Sequence, residues 1–165
     1  VAIIGCGTMG EAIVAGLLRA GLLAPEQVVV TTRRGEVAEG LAARHGVRAT
    51  TDNLAAVREA DTVLLALKPQ RISKVLHLPG VAEALAGKLV ISIAAGVTLS
   101  QLQAWLPESP VIRAMPNTPC LIGEGMTVLA RGVRAGDGEV ALAKSLFETV
   151  GMCIEVEDKL MDAVT

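Results

Sequence analysis

Three glycines near the start of the chain, in Gly5-Cys6-Gly7-Thr8-Met9-Gly10, have the spacing G-x-G-x-x-G. The apolar run Val1-Ala2-Ile3-Ile4 leads into them, and a segment of helical patterning, 11–20, leads away. A strand that turns through such a loop into a helix is suited to holding the pyrophosphate of a dinucleotide. Gly5 permits the tight turn, Gly7 lets the backbone come close to phosphate, and Gly10 lets the helix pack close to the strand. The helix start adds free N–H groups and a partial positive charge. The plainer reading is a glycine-rich turn in an ordinary α/β protein; the strand before and the helix after favour binding.

The end of the second apolar run bears on which dinucleotide. Val28-Val29-Val30 passes into Thr31-Thr32-Arg33-Arg34. An Asp or Glu usually stands there when the ligand is NAD, to hold the ribose 2′-hydroxyl. Here a hydroxyl and two guanidiniums stand there instead, and guanidinium binds phosphate oxygens bidentately. The charge pattern points to NADPH, while Glu36, two residues beyond Arg34, keeps NADH possible. A solvated edge with the arginines paired to Glu36 or Glu39 is the alternative.

Three further loops follow strand-like runs, and bound dinucleotides lie across the carboxyl ends of such strands. Ala66-Leu67-Lys68-Pro69 combines a small residue, a cation and a proline suited to a first helical turn. Ala94-Ala95-Gly96 leaves room for a nicotinamide, and Met115-Pro116-Asn117-Thr118-Pro119 offers an amide and a hydroxyl in a proline-fixed loop. Glu124 is the one acid near these loops. The pattern holds no Ser-His-Asp set, metal-ligand cluster or paired carboxylates. Hydride transfer to a polarised C=N bond asks the protein for little beyond positioning and charge placement. No catalytic side chain is assigned.

The elements that must position these loops alternate. Strands are expected over 1–4, 28–32, 62–66, 89–93 and 111–115, with a short one at 47–50 and two late ones at 126–130 and 152–156. Helices are expected over 9–20, 36–45, 53–58, 72–86, 99–106 and 139–150. Strand–helix alternation with short linkers implies right-handed crossovers. The fold class is α/β: a Rossmann-like, doubly wound, mostly parallel sheet of about eight strands, with two late strands able to run antiparallel. Asp158 reads as the N-cap of a helix beginning at the end of the chain. The missing initiator Met and this last pattern suggest that residues precede and follow the sequence.

Composition agrees. In 165 residues, 52% are hydrophobic and 19% charged, which suits a packed domain rather than a disordered chain. No run of 18 apolar residues suggests a membrane span. With a formal net charge of −2, one Trp, one Phe and no Tyr, nucleic acid is an unsuited partner. Cys6, Cys120 and Cys153 form neither a zinc nor a disulfide pattern and read as buried thiols in a reducing cytoplasm. His45 and His77 read as surface helix residues.

Taken together, Gly5–Gly10, Ala66-Leu67-Lys68-Pro69, Ala94-Ala95-Gly96-Val97-Thr98, Val111-Ile112-Arg113-Ala114-Met115-Pro116-Asn117-Thr118-Pro119 and Asp162-Ala163-Val164-Thr165 occur in an order and spacing that resembles the pyrroline-5-carboxylate reductases. The resemblance spans the whole chain. It implies reduction of 1-pyrroline-5-carboxylate to L-proline with NAD(P)H, the last step of proline biosynthesis. It implies an NAD(P)-binding domain over 1–157 and, at 158–165, the start of a helical dimerisation domain that makes homo-oligomers and carries the remaining substrate contacts. Without that domain the chain is expected to bind cofactor but not to turn over. Carried onto this sequence, the cofactor contacts are Ile4, Gly5, Cys6, Gly7, Thr8, Met9 and Gly10; then Thr32, Arg33, Arg34 and, on the adenosine side, Asn53. Ala66, Leu67, Lys68, Pro69, Ile93, Ala94 and Ala95 line the path onward, and Asn117 and Thr118 stand near the nicotinamide. Competing readings are another NADP-dependent dehydrogenase of the 6-phosphogluconate or prephenate dehydrogenase-like group, and a non-catalytic dinucleotide-sensing module.

Overall fold

A computed structural model describes residues 1–164; Thr165, the last residue of the Asp162–Thr165 motif, lies outside the described residues. Eight strands form one sheet: β1 (Ala2–Ile4), β2 (Val29–Thr31), β3 (Arg48–Thr50), β4 (Thr62–Leu65), β5 (Leu89–Ser92), β6 (Val111–Met115), β7 (Gly125–Arg131) and β8 (Gly151–Glu155). Their spatial order is β3-β2-β1-β4-β5-β6-β7-β8. The first six are parallel, β7 runs antiparallel to β6, and β8 is parallel to β7. The strand order reverses between β1 and β4, where Ala2, Ile3 and Ile4 pair with Val63, Leu64 and Leu65. A crevice at such a reversal, outside the carboxyl ends of the strands, is where doubly wound folds take ligands.

Helices cover both faces: α1 (Thr8–Arg19), α2 (Gly35–His45), α3 (Asn53–Glu59), α4 (Pro69–Leu76), α5 (Val81–Leu85), α6 (Leu99–Trp105) and α7 (Asp137–Phe147). Strand side chains alternate between faces, so each short strand feeds two cores. Ile3, Val30, Leu64, Ile91 and Ile112 pack with Ile13, Val14 and Leu17 of α1 and Phe147 of α7. On the opposite face Ile4, Val63, Leu65 and Val90 pack with Ile72, Val75 and Leu76 of α4 and Leu102 of α6. Burial on both faces explains the near-continuous apolar runs of the sequence.

Three expectations are corrected. The single helix expected over 72–86 is two, because the chain breaks after Leu76 and restarts beyond Gly80, whose φ of 84° is left-handed. Pro79 before that glycine cannot continue the i→i−4 ladder. The helix expected over 139–150 gives way at Phe147 to a 3-10 turn at Glu148–Val150. At the end, Asp158 is not an N-cap. Glu157 holds that position, the segment Asp158–Ala163 is 3-10, and Asp158 turns instead toward Arg113.

That Arg113 is 2% exposed, although it lies on a central strand. Its Nη2 donates to Asp162 Oδ1 at 3.0 Å, and its Nη1 lies 3.5 Å from Asp158 Oδ1. The pairs fasten the last turn to the sheet beside Met161, which packs with Val128 and Ala130. At the other edge His45 is not a free surface residue. Its Nε2 lies 2.8 Å from Glu11 Oε1, which also accepts from Arg44 Nε at 2.8 Å. Glu11 thereby ties the first turn of α1 to the last of α2, and these bonds, Arg44 first and His45 second, hold its carboxyl below the usual carboxylate range.

A group with a lowered folded pKa stabilises above its unfolded pKa, about 4.3 for Glu, and that stabilisation is lost as pH falls through the folded value. Glu11 is 32% exposed and its partner Arg44 55%, so solvent screening keeps the effect small. Glu11→Gln is expected to lower the urea midpoint slightly at neutral pH, with the difference from wild type fading as acid protonates the carboxyl; urea melts across a pH series check this.

Candidate functional site

The loop from β1 to α1 crosses the reversal point almost without side chains. Gly5 has φ 77°, and a Cβ there would run into the Leu67 side chain, so the turn needs glycine for conformation and for space. A Cβ on Gly10 would lie 3.3 Å from Ile3 Cγ2 and Cys6 Sγ and 3.4 Å from Ala66 Cβ, which is how α1 sits close to β1 and β4. At Gly7, the N-cap of α1, an added Cβ would meet nothing within 4 Å. That is the opening through which a ligand reaches the helix N-terminus.

The loop is held from the side by a residue sequence reading passed over. Thr31, at the end of β2, is 1% exposed. Its Oγ1 accepts the Gly5 N–H at 3.0 Å, and its carbonyl accepts the Cys6 N–H at 2.7 Å. A hydroxyl residue at the end of the second apolar run was the available signal, and its partner on the loop after the first run is set by strand pairing. The Thr32 hydroxyl donates to the Arg34 carbonyl at 2.8 Å and shapes the next loop. Burial pushes the Cys6 thiol up to about 12, so it stays neutral and sets no negative charge beside the loop.

Two clefts meet here. The first, about 290 Å³, is lined by Gly5, Cys6, Gly7, Thr32, Arg33, Arg34, Val37, Ala66, Leu67, Lys68 and Arg71. It carries four cationic side chains and no carboxylate, although Arg34 also lies 3.5 Å from Glu36. The second, about 350 Å³, runs from Gly7–Gly10 past Ala66–Pro69 to Ile93, Ala94, Ala95, Met115 and Pro116. Lys68 is its one charged group. Gly7, Ala66, Leu67 and Lys68 line both, so the pair forms one groove across the carboxyl ends of the strands. Each cleft is of the size that holds part of a cofactor. Pro69 opens α4 at its first position, as expected.

The structure gathers most of the expected residues along this groove. Ile4 is not in the lining: it lies buried within β1, where its carbonyl accepts from the Ala66 N–H at 2.9 Å and so holds β1 beside the groove-lining turn after β4. With Ile4, four of the expected residues stand outside the lining. Asn53 opens α3 behind the Asp52 cap. Asn117 and Thr118 are exposed beyond Pro116, and the Asn117 Oδ1 accepts the Met126 N–H at 2.8 Å, which commits its carbonyl to the loop. Sequence reading did not assign Val37, Arg71, Met115 or Pro116 to the lining. Arg71 is the third residue of α4, a position that ordinary helix patterning does not distinguish.

A cationic pocket and a nearly uncharged one, joined at a helix N-terminus on a doubly wound sheet, mark an α/β domain of the Rossmann type. Residues 1–96 match the profile of the family described as NADP oxidoreductase, coenzyme F420-dependent, and the chain belongs to that family. The resemblance to the pyrroline-5-carboxylate reductases is borne out alongside it. The chain is 43% identical to the pyrroline-5-carboxylate reductase of Synechocystis sp. over 99% of its own length and 60% of the relative's. Among solved structures it superposes on the Coxiella burnetii pyrroline-5-carboxylate reductase with a TM-score of 0.89 at 35% identity, over 94% of this chain and 58% of that one. The Plasmodium falciparum pyrroline carboxylate reductase, solved with NADP bound, gives a TM-score of 0.88 at 25% identity, covering 99% and 60% of the two chains. The chain therefore spans about 60% of the length of the relatives it matches.

Gly5→Ala sets a side chain against Leu67 in a left-handed turn. It is expected to destabilise by at least about 2 kcal/mol, combining the backbone cost with overpacking; denaturant melts give the value.

Proposed function

We propose that this chain is the cofactor-binding part of an NADPH-dependent pyrroline-5-carboxylate reductase, which reduces 1-pyrroline-5-carboxylate to L-proline at the end of proline biosynthesis. One observation carries the reading: the groove is divided into a cationic end and a nearly uncharged end. The cationic end, with Arg33 and Arg34, suits a 2′-phosphate; the α1 N-terminus at Gly7–Met9 suits the pyrophosphate; and the neutral end, with Ile93, Ala94, Ala95, Met115 and Pro116, suits a nicotinamide. Asn53, near the adenosine, and Asn117 and Thr118, near the nicotinamide, are assigned supporting contacts. The NADP in the Plasmodium relative supports the cofactor class, and NADH remains a second substrate of the same groove.

When bound, the cofactor supplies a hydride to the carbon of the C=N bond. With the substrate nitrogen already protonated, that addition gives the ring amine directly and requires no proton in the same step. The lining suits this economy. Apart from Lys68, the neutral cleft has no titratable side chain, and its apolar walls keep water from the reacting carbon. The protein's part is to hold and orient. The remaining substrate contacts and a homo-oligomeric assembly are assigned to a helical dimerisation domain beginning at 158–165. Among the described residues no helix is long and apolar enough to cross a membrane, and a cytoplasmic location is part of this proposal.

Fluorescence titration with NADPH and NADH tests cofactor binding, and the full-length protein assayed with 1-pyrroline-5-carboxylate tests the substrate. No binding of either nucleotide would sink every enzymatic reading. Binding without turnover by the full-length protein would favour another dehydrogenase or a sensing module. Arg33→Ala with Arg34→Ala is expected to weaken NADPH at least about tenfold more than NADH, because charge-assisted bonds to the 2′-phosphate are lost; equal weakening would remove the argument for NADPH. Gly7→Val, which fills open space, is expected to leave the melting temperature nearly unchanged while weakening both nucleotides at least about tenfold, as the same titration would read.

A further inference from the structure

Arg71 lines the cationic cleft from the side opposite Arg33 and Arg34. Those two stand on the loop after β2, whereas Arg71 is in the first turn of α4, after β4. β2 and β4 flank β1 on its two sides. Neighbouring strands lie about 4.8 Å apart, so the two lips of the cleft are separated by roughly 10 Å, a gap that long guanidinium side chains reach into from both sides. Arg71 is also unspent. Its Nε is buried and has no hydrogen-bond partner, and it forms no ion pair among the described residues. A buried donor left without an acceptor costs free energy until one arrives. Holding it at a cleft wall with three other cations and no carboxylate makes sense for an anionic ligand.

We propose that Arg71 is a specificity-determining residue that closes on the adenosine 2′-phosphate from the α4 side, completing a three-guanidinium clamp with Arg33 and Arg34. The proposal rests on the NADPH reading above and deepens it. Placement separates Arg71 from the pyrophosphate. Lys68 lines both clefts and stands at their junction, whereas Arg71 lines only the one that contains Thr32, Arg33 and Arg34. The second cleft, with Thr8, Met9 and Gly10 of the α1 N-terminus, does not include it. Arg71 is therefore assigned to the end of the dinucleotide that distinguishes NADPH from NADH, and Lys68 to its middle.

Calorimetric titration with adenosine 2′,5′-bisphosphate and with AMP, which differ only in the 2′-phosphate, tests the assignment on wild type and Arg71→Met. The methionine keeps an apolar stem against α4 and removes the charge. Expected is a loss of at least about tenfold in affinity for the bisphosphate, with AMP affinity held within about twofold; retained AMP binding shows that the variant is folded. Equal weakening of the two ligands would overturn the proposal and move Arg71 to the adenine or the 5′-phosphate. An unchanged preference for the bisphosphate would overturn it too, leaving the 2′-phosphate to Arg33 and Arg34. A wild-type protein with no preference for the bisphosphate would instead remove the NADPH reading itself, together with this clamp.

Discussion

The whole arrangement depends on one steric constraint: the β1–α1 turn must pass between the tips of β2 and β4 with almost no side chains of its own. Leu67 fills the place that a Gly5 side chain would need, and Ile3, Cys6 and Ala66 crowd Gly10. At these two positions only glycine fits, while Gly7 between them leaves the backbone bare and open, as an anion needs. Packing sets the first and last glycine and access the middle one, so one short motif serves both. Thr31 adds the lateral hold, with its hydroxyl and carbonyl taking the first two N–H groups of the loop. Those donors are satisfied by protein, while the N–H groups of the next turn remain for the ligand.

From that turn the charge distribution follows the topology. The loop after β2 carries Arg33 and Arg34, and the turn after β4 carries Lys68 and Arg71. The ends of β5 and β6 contribute Ile93, Ala94, Ala95, Met115 and Pro116, without charge. A long ligand laid across the sheet therefore meets cations at one end and apolar walls at the other. This gradient gives it a direction as well as a place. The protein's net charge is −2, so the concentration of positive charge is a local feature of one cleft and not a property of the chain.

The far half of the sheet serves as support. β7 reverses direction and β8 pairs beside it, with Arg131 bridging Glu155 and Asp137 at the edge. Arg113 crosses from the central sheet to Asp158 and Asp162. A buried guanidinium held by two aspartates fixes where the last turn lies, since moving that turn away would strip the buried charge of both partners. The same strand ends in Met115 at the neutral cleft, so the final turn and the binding groove share one rigid element.

Much of this was legible from local pattern. Glycine spacing, apolar runs and loop composition act over a few residues, so the strands, the mostly parallel sheet and the groove-forming loops could be read directly. Boundaries set by turn chemistry were harder. The break near Pro79-Gly80 is a local signal that the apolar pattern over 72–86 masked, whereas the 3-10 character of Asp158–Ala163 depends on packing against the sheet. The sequence by itself determined that a glycine loop joins a strand to a helix and that arginines follow the second strand. Only the tertiary structure decided that Thr31 buttons the loop, that Glu11 is shared by Arg44 and His45, and that Arg71 lines one cleft with Arg33 and Arg34. Each of those joins residues more than 20 positions apart. Such a meeting depends on strand order and crossover, which no local pattern encodes.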